Sequence, residues 1–165
     1  MEYAAIPDLV ARFGERELIE LTDTDALAQV QAAKVDVALG DAHAYVDGYV
    51  GKAYRLPLAG CAKPAPVPGN VAAVEMVAPP VLTRLVCDVA RYYLYDDLAP
   101  EHEVYLRFKA ATKDLEAIAA GDVKLACPWG GAPGAALTGE EPGEGDVLFG
   151  FSPRQITDDT LRGFA

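Results

Sequence analysis

The chain has 165 residues, 52% of them apolar and 24% charged, with 25 acidic against 14 basic side chains. That is the composition of one globular domain able to bury a core, not of a disordered or fibrous chain. The net charge of −11 excludes a nucleic-acid binder that works by neutralising phosphates, because protein and phosphate would repel. The most apolar stretch, Val71 to Leu82, is interrupted by Glu75, Pro79 and Pro80, so no membrane span is expected. The opening Met1-Glu2 is not a basic-then-apolar leader, and the expectation is a chain made and kept in the cytoplasm.

Of the 15 Gly and 12 Pro, 8 fall in residues 57–80 and 13 in residues 121–165. Two helix-compatible blocks, 1–56 and 81–120, therefore alternate with a Pro-rich loop and a Gly/Pro-rich tail. A short helix starts at Ile6-Pro7-Asp8 and stops at Gly14. A second follows over Glu15 to Leu21. Thr22, Asp23, Thr24 and Asp25 then offer N-cap oxygens for a long helix. Its face is Val35, Leu39, Ala42, Val46, Tyr49 and Ala53, and Leu56-Pro57 ends it. Gly40, Gly48 and Gly51 each weaken such a helix by about 1 kcal/mol relative to Ala, which points to close approach of another helix or to a bend.

After Pro79-Pro80, Leu82, Leu85, Val86, Val89, Ala90 and Tyr93 form the next apolar stripe, with Arg84, Asp88 and Arg91 on another face. The last helix is expected near Pro100, with Glu101 and Glu103 in its positive first turn. Its stripe is Val104, Phe108, Ala111, Leu115 and Ile118, and Gly121 is its C′ residue. No strand alternation precedes residue 120; Val147 to Phe151 alone reads as a short extended piece. The expected fold is all-α: a bundle of four to five helices over 1–120 with a loop insert at 57–80, then a long irregular C-terminal arm over 121–165.

Motifs for catalysis are weak. Gly51-Lys52 fails the phosphate-loop pattern, with Val46 and Ala53 at two required positions. Gly143-Glu144-Gly145 has no Gly at 148 and carries acids that would repel a pyrophosphate. The single serine, Ser152, precedes Pro153 outside any nucleophile elbow. Cys61, Cys87 and Cys127 are odd in number and widely spaced, which suits reduced, unpaired thiols, with Cys87 in the core. Asp96, Asp97, Glu101, His102 and Glu103 form the best metal or acid–base candidate, although helix capping and dipole complementarity already account for them. Asp41, His43 and Asp47 do not share one helical face. No catalytic, cofactor-binding or metal-binding residue is assigned.

The tyrosines say more. Tyr45, Tyr49, Tyr54, Tyr92, Tyr93 and Tyr95 sit on helices at positions that cannot all face one core. Two readings stay open with equal weight: half lie at the core's edge, or some contact a neighbouring subunit, where amphipathic rings are common. The acidic, Gly-rich tail ends in Phe149, Phe151, Ile156, Leu161 and Phe164, each worth about 1.5–3 kcal/mol if buried. An arm whose tip docks on a partner follows. The candidate interface is Tyr45, Tyr49, Tyr92, Phe149, Phe151, Ile156, Leu161 and Phe164.

Phe13-Gly14-Glu15, Leu21-Thr22-Asp23, Asp41-Ala42, Tyr45-Val46-Asp47-Gly48-Tyr49-Val50, Tyr54 and Leu56-Pro57-Leu58 stand in the order seen in a known family. So do Cys87-Asp88-Val89-Ala90-Arg91-Tyr92 and Asp158-Asp159-Thr160-Leu161-Arg162-Gly163-Phe164. Over nearly its whole length the chain resembles the Mu-like phage head–tail connector (neck adaptor, head completion) proteins. The resemblance implies a helical virion protein without catalytic residues, made in the host cytoplasm and located at the virion neck. It further implies a homo-oligomeric, dodecameric ring between the portal protein and the tail or stopper proteins. DNA would pass through without specific binding, helped by an acidic passage. The insert Ala59 to Ala78 departs from the short link expected in relatives. Two other readings stay open: a small metal-dependent enzyme using the Asp96–Glu103 cluster, and a cytoplasmic regulatory binding module.

Overall fold

The computed structural model describes residues 1–23, 28–65, 73–95, 99 and 101–137. Among these are five helices: α1 (Ile6–Phe13), α2 (Glu15–Thr22), α3 (Ala32–Val50), α4 (Pro80–Leu94) and α5 (Glu103–Ala120). A two-stranded antiparallel sheet, β1 (Cys61–Lys63) and β2 (Glu75–Val77), lies in the Pro-rich insert, pairing Cys61 with Val77 and Lys63 with Glu75. The protein is thus mostly helical rather than purely all-α. Three residues per strand are too few for a visible period-two pattern, which is why the sequence hides this pair.

α4 is the central element. It packs on α3 and α5, and α1 closes over it from a third side. Every residue from Leu85 to Ala90 is consequently buried. An amphipathic stripe cannot do this; a helix surrounded by others can. Leu82, Leu85, Val86 and Val89 of α4 meet Val35, Leu39, Val46 and Val50 of α3 and Leu115 and Ile118 of α5 in one core. Leu9 of α1 and Leu18 of α2 complete it. Each such side chain contributes about 1.5–3 kcal/mol on burial. Tyr93, placed by its spacing on the buried stripe, is 37% exposed, because α4 leaves the core in its last turn.

The helix ends obey local chemistry. The Asp8 carboxylate accepts the Ala5 N–H at 2.9 Å at the start of α1. Gly14 at φ +87° then turns the chain into α2, a conformation other residues adopt only under strain. α3 begins at Ala32 and not at the Thr22–Asp25 cap expected from the sequence. The available oxygens are used elsewhere: Thr22 Oγ1 accepts the Gln31 N–H at 3.1 Å, and Asp23 Oδ2 accepts the Ala28 N–H at 2.7 Å. They fold the linker before the helix instead of capping it. Thr24 and Asp25 lie outside the described residues. α5 starts at Glu103 rather than near Pro100, with His102 Nδ1 accepting the Val104 N–H, and ends at Gly121 in the left-handed conformation.

No neighbour among the described residues explains two of the α3 glycines. A Cβ at Gly40 or Gly48 would meet nothing within 4 Å, so the expected helix approach does not occur there. At Gly51 a Cβ would stand 2.9 Å from the Asp47 carbonyl oxygen and 3.2 Å from Leu56, so closeness does apply where α3 ends.

Cys61 and Cys127 form a disulfide, correcting the expectation of reduced, unpaired thiols. Their separation of 66 residues conceals the pairing in the sequence, but the segment after α5 returns past the start of the insert. Leu125 N–H donates to Tyr54 Oη at 2.7 Å, Arg55 N–H to the Ala135 carbonyl, Gly60 N–H to the Pro133 carbonyl and Leu137 N–H to the Ala53 carbonyl. Residues 121–137 thereby lie along residues 53–60. The remainder of the 121–165 tail, including Ser152 and the Val147–Phe151 piece, lies outside the described residues.

Cys87 is free and fully buried in α4, and burial pushes its thiol up to about 11. A thiol-reactive dye at pH 8 should therefore label no cysteine in the native protein, one after unfolding and three after unfolding with reduction. Replacing Cys61 by Ser should lower stability by about 2–4 kcal/mol in chemical denaturation, because a long loop loses its closure.

Candidate interaction surface

Tyr45, Tyr49, Tyr92, Tyr93, Tyr105 and Phe108 gather where α3, α4 and α5 come together. Tyr45 and Tyr49 are one turn apart on α3, with ring centroids 5.2 Å apart. Tyr92 of α4 stacks on Phe108 of α5 at 4.1 Å and 14°. Tyr45 reaches Phe108 at 5.9 Å and Tyr93 at 6.4 Å, and Tyr105 lies 6.1 Å from Tyr92. Offset and edge-on pairs of this kind contribute about 0.5–1.5 kcal/mol each beyond area burial. Tyr45 Oη is 3.4 Å from Tyr49 Oη and 3.2 Å from Thr112 Oγ1. The Tyr45 hydrogen bond, then burial, push the Tyr49 phenol up to about 12.

The structure thus brings together three of the residues expected at an interface, Tyr45, Tyr49 and Tyr92. All three are half-buried against their own chain. Phe149, Phe151, Ile156, Leu161 and Phe164 lie outside the described residues. The other tyrosines have internal duties. Tyr54 is buried and holds Leu125. Tyr95 Oη donates to Glu17 at 3.0 Å. Tyr3 Oη donates to Asp47 at 2.6 Å, and burial together with that carboxylate raises its phenol.

The residues considered for metal or acid–base chemistry have structural partners. His43 Nε2 accepts the N–H groups of Tyr3 and Ala4 at 3.0 and 3.2 Å, tying the N-terminal segment to α3. His102 caps α5. Asp96 and Asp97 lie outside the described residues, and among the described residues no group of three His, Cys, Asp or Glu side chains converges as metal ligands would.

Charged groups knit the helices. Glu17 of α2 takes Arg91 of α4 in a two-pronged pair, Nε at 2.7 Å and Nη2 at 3.0 Å, while the guanidinium lies over Phe13 at 4.5 Å. Burial works against the Arg91 cation, but the Glu17 hydrogen bonds and charge outweigh it and hold the group above its ordinary value. Asp88, next to Cys87, is buried with Arg84 at 3.9 Å and Arg107 at 3.8 Å. Burial raises its carboxyl, opposed by Arg107, Arg84, Arg12 and Arg91. Arg84 and Arg107 are more closely held by Asp114 at 2.7 Å and Glu103 at 3.0 Å. The sequence places Arg84, Asp88 and Arg91 side by side; the tighter partners, Glu17 and Asp114, come from other helices and could not be read from spacing.

Sequence reasoning also missed the outward apolar residues. Val37 of α3 is 66% exposed and Leu106 of α5 is 53% exposed, the two highest values among the described exposed large hydrophobics. Both stand off the helical stripes, the one signal that could have marked them. Met76, Trp129 and Leu137 are also exposed. Among the described residues, no helix is long and apolar enough to cross a membrane.

Glu17→Ala should cost about 2–4 kcal/mol in denaturation at neutral pH, since it strands a poorly hydrated guanidinium. Asp88→Asn should change stability by less than about 1 kcal/mol, because its arginines keep nearer carboxylates and a buried charge is removed.

The model of the family "Bacteriophage Mu, Gp36" matches residues 3–140. The chain is 30% identical over 122 residues to "Gene product J" of Escherichia phage Mu, covering 73% of this chain and 74% of that one. It is 29% identical over 128 residues to "Mu-like prophage FluMu protein gp36" of Haemophilus influenzae, covering 74% of each. The chain belongs to the bacteriophage Mu Gp36 family of phage proteins.

Proposed function

We propose that this protein is a structural component of the virion, a head–tail connector that forms a ring between the portal and the tail. The observation that carries this reading is the distribution of its uncovered apolar surface. Val37, Leu106, Met76, Trp129 and Leu137 stand exposed on α3, α5, β2 and the segment after α5. A chain with apolar groups open on several elements is suited to meeting more than one neighbour. Copies joined through two different surfaces close into a ring. Membership of a phage Mu family supplies the setting.

Two further properties suit the role. A net charge of −11 discourages DNA from adhering to the walls of a passage. The Cys61–Cys127 disulfide fits a particle that leaves the reducing cytoplasm of its host. The arm ending in Phe149, Phe151, Ile156, Leu161 and Phe164 would dock on the portal, and the half-buried Tyr45, Tyr49 and Tyr92 would border contacts with adjacent proteins. The protein performs no bond-making chemistry in this reading.

Deleting the gene from the phage that encodes it should leave DNA-filled heads and free tails that fail to join. Supplying the wild-type chain in trans should restore joined, infectious particles, with the chain present in them. Normal particles from the deletion strain would contradict the proposal.

A further inference from the structure

The outward faces of α3 and α5 differ in charge, and each carries one exposed large apolar side chain. On α3, Asp36, Val37, Gly40, Asp41 and Ala44 are all exposed, while Val35, Ala38, Leu39 and Ala42 face the core. On α5, Leu106, Lys109, Ala110 and Lys113 are all exposed, while Val104, Ala111 and Leu115 face inward. Each face has one large apolar side chain, Val37 or Leu106, more exposed than any other described large hydrophobic. Asp36, Asp41, Lys109 and Lys113 take no part in the ion pairs of the described residues. Lys109 touches only the Tyr105 ring among aromatic partners, at 5.9 Å.

We infer that the outward face of α3 in one copy seats the outward face of α5 in the next copy. The inference rests on the connector reading and names the surface that builds its ring. The partner is a second copy because the charges complement each other. Chains of net charge −11 repel as whole bodies. A contact between them is therefore favoured where opposite signs meet locally. Beside Lys34 the α3 face carries two acids about 7.5 Å apart along the axis, a net negative face, and beside Glu116 the α5 face carries two lysines about 6 Å apart, a net positive one. Val37 and Leu106 would be covered between these charges, an apolar centre with a polar rim. Gly40 and Ala44 add little bulk to the α3 face, so the incoming helix can lie close. The two faces are not the same surface, so the contact runs head to tail and propagates around a ring.

Charge reversal in the deletion strain tests the contact, with joined particles counted by electron microscopy. Complementation by Asp36→Lys/Asp41→Lys, or by Lys109→Glu/Lys113→Glu, should lower the yield of joined particles at least about tenfold. The four substitutions combined in one chain restore opposite signs and should recover most of the wild-type yield. Circular dichroism of each purified variant should match wild type, since all four positions are exposed. Wild-type yield from either double variant, or no recovery in the fourfold variant, would overturn this contact and leave the connector reading standing. Failure of the wild-type chain itself to restore joining would overturn the connector reading and this inference with it.

Discussion

The fold depends on the burial of one helix from all sides. α4 keeps Leu85 to Ala90 away from water without interruption, and that requires neighbours on every face. α3, α5 and α1 supply them. Once these helices spend their apolar stripes on α4, their opposite faces stay uncovered among the described residues. Val37 and Leu106 are the result. A bundle organised around a central helix is well made inside and unfinished outside.

The same constraint governs the electrostatics. Asp88 is buried because α4 is surrounded, and its carboxyl is raised by that burial even with arginines near it. Arg91 emerges at the boundary, where Glu17 can reach it with two hydrogen bonds and Phe13 can cover its plane. The first charge is tolerated by the core, whereas the second pair fastens α2 to α4. Only the second contributes strongly, because its geometry is close and its cation would otherwise stand alone.

Helix positions were legible in the sequence because they rest on spacing of three and four residues. Val35, Leu39, Ala42 and Val46 of α3, and Val104, Ala111, Leu115 and Ile118 of α5, are buried as that spacing requires. Features resting on distant partners were not legible. Cys61 and Cys127 pair across 66 residues. Thr22 and Asp23 look like a helix cap but hold the preceding linker. The β1–β2 pair is too short to show alternation. Tyr45, Tyr49 and Tyr92, the candidate interface residues of the helices, lie together at one edge of the core. Val37 and Leu106 gave only the faint signal of apolar residues off the stripe. Gly40 and Gly48 suggested a closely approaching helix, and no helix among the described residues fills that place.

The central claim is that the outer faces of the helices around α4 become covered only when the protein joins its assembly. Hydroxyl-radical footprinting of the free chain and of the chain within purified phage particles measures this side chain by side chain. The account predicts that Val37 and Leu106 are modified readily in the free chain and protected in the particle, while Leu85 and Val89 are protected in both. Equal modification of Val37 and Leu106 in the two states would contradict it.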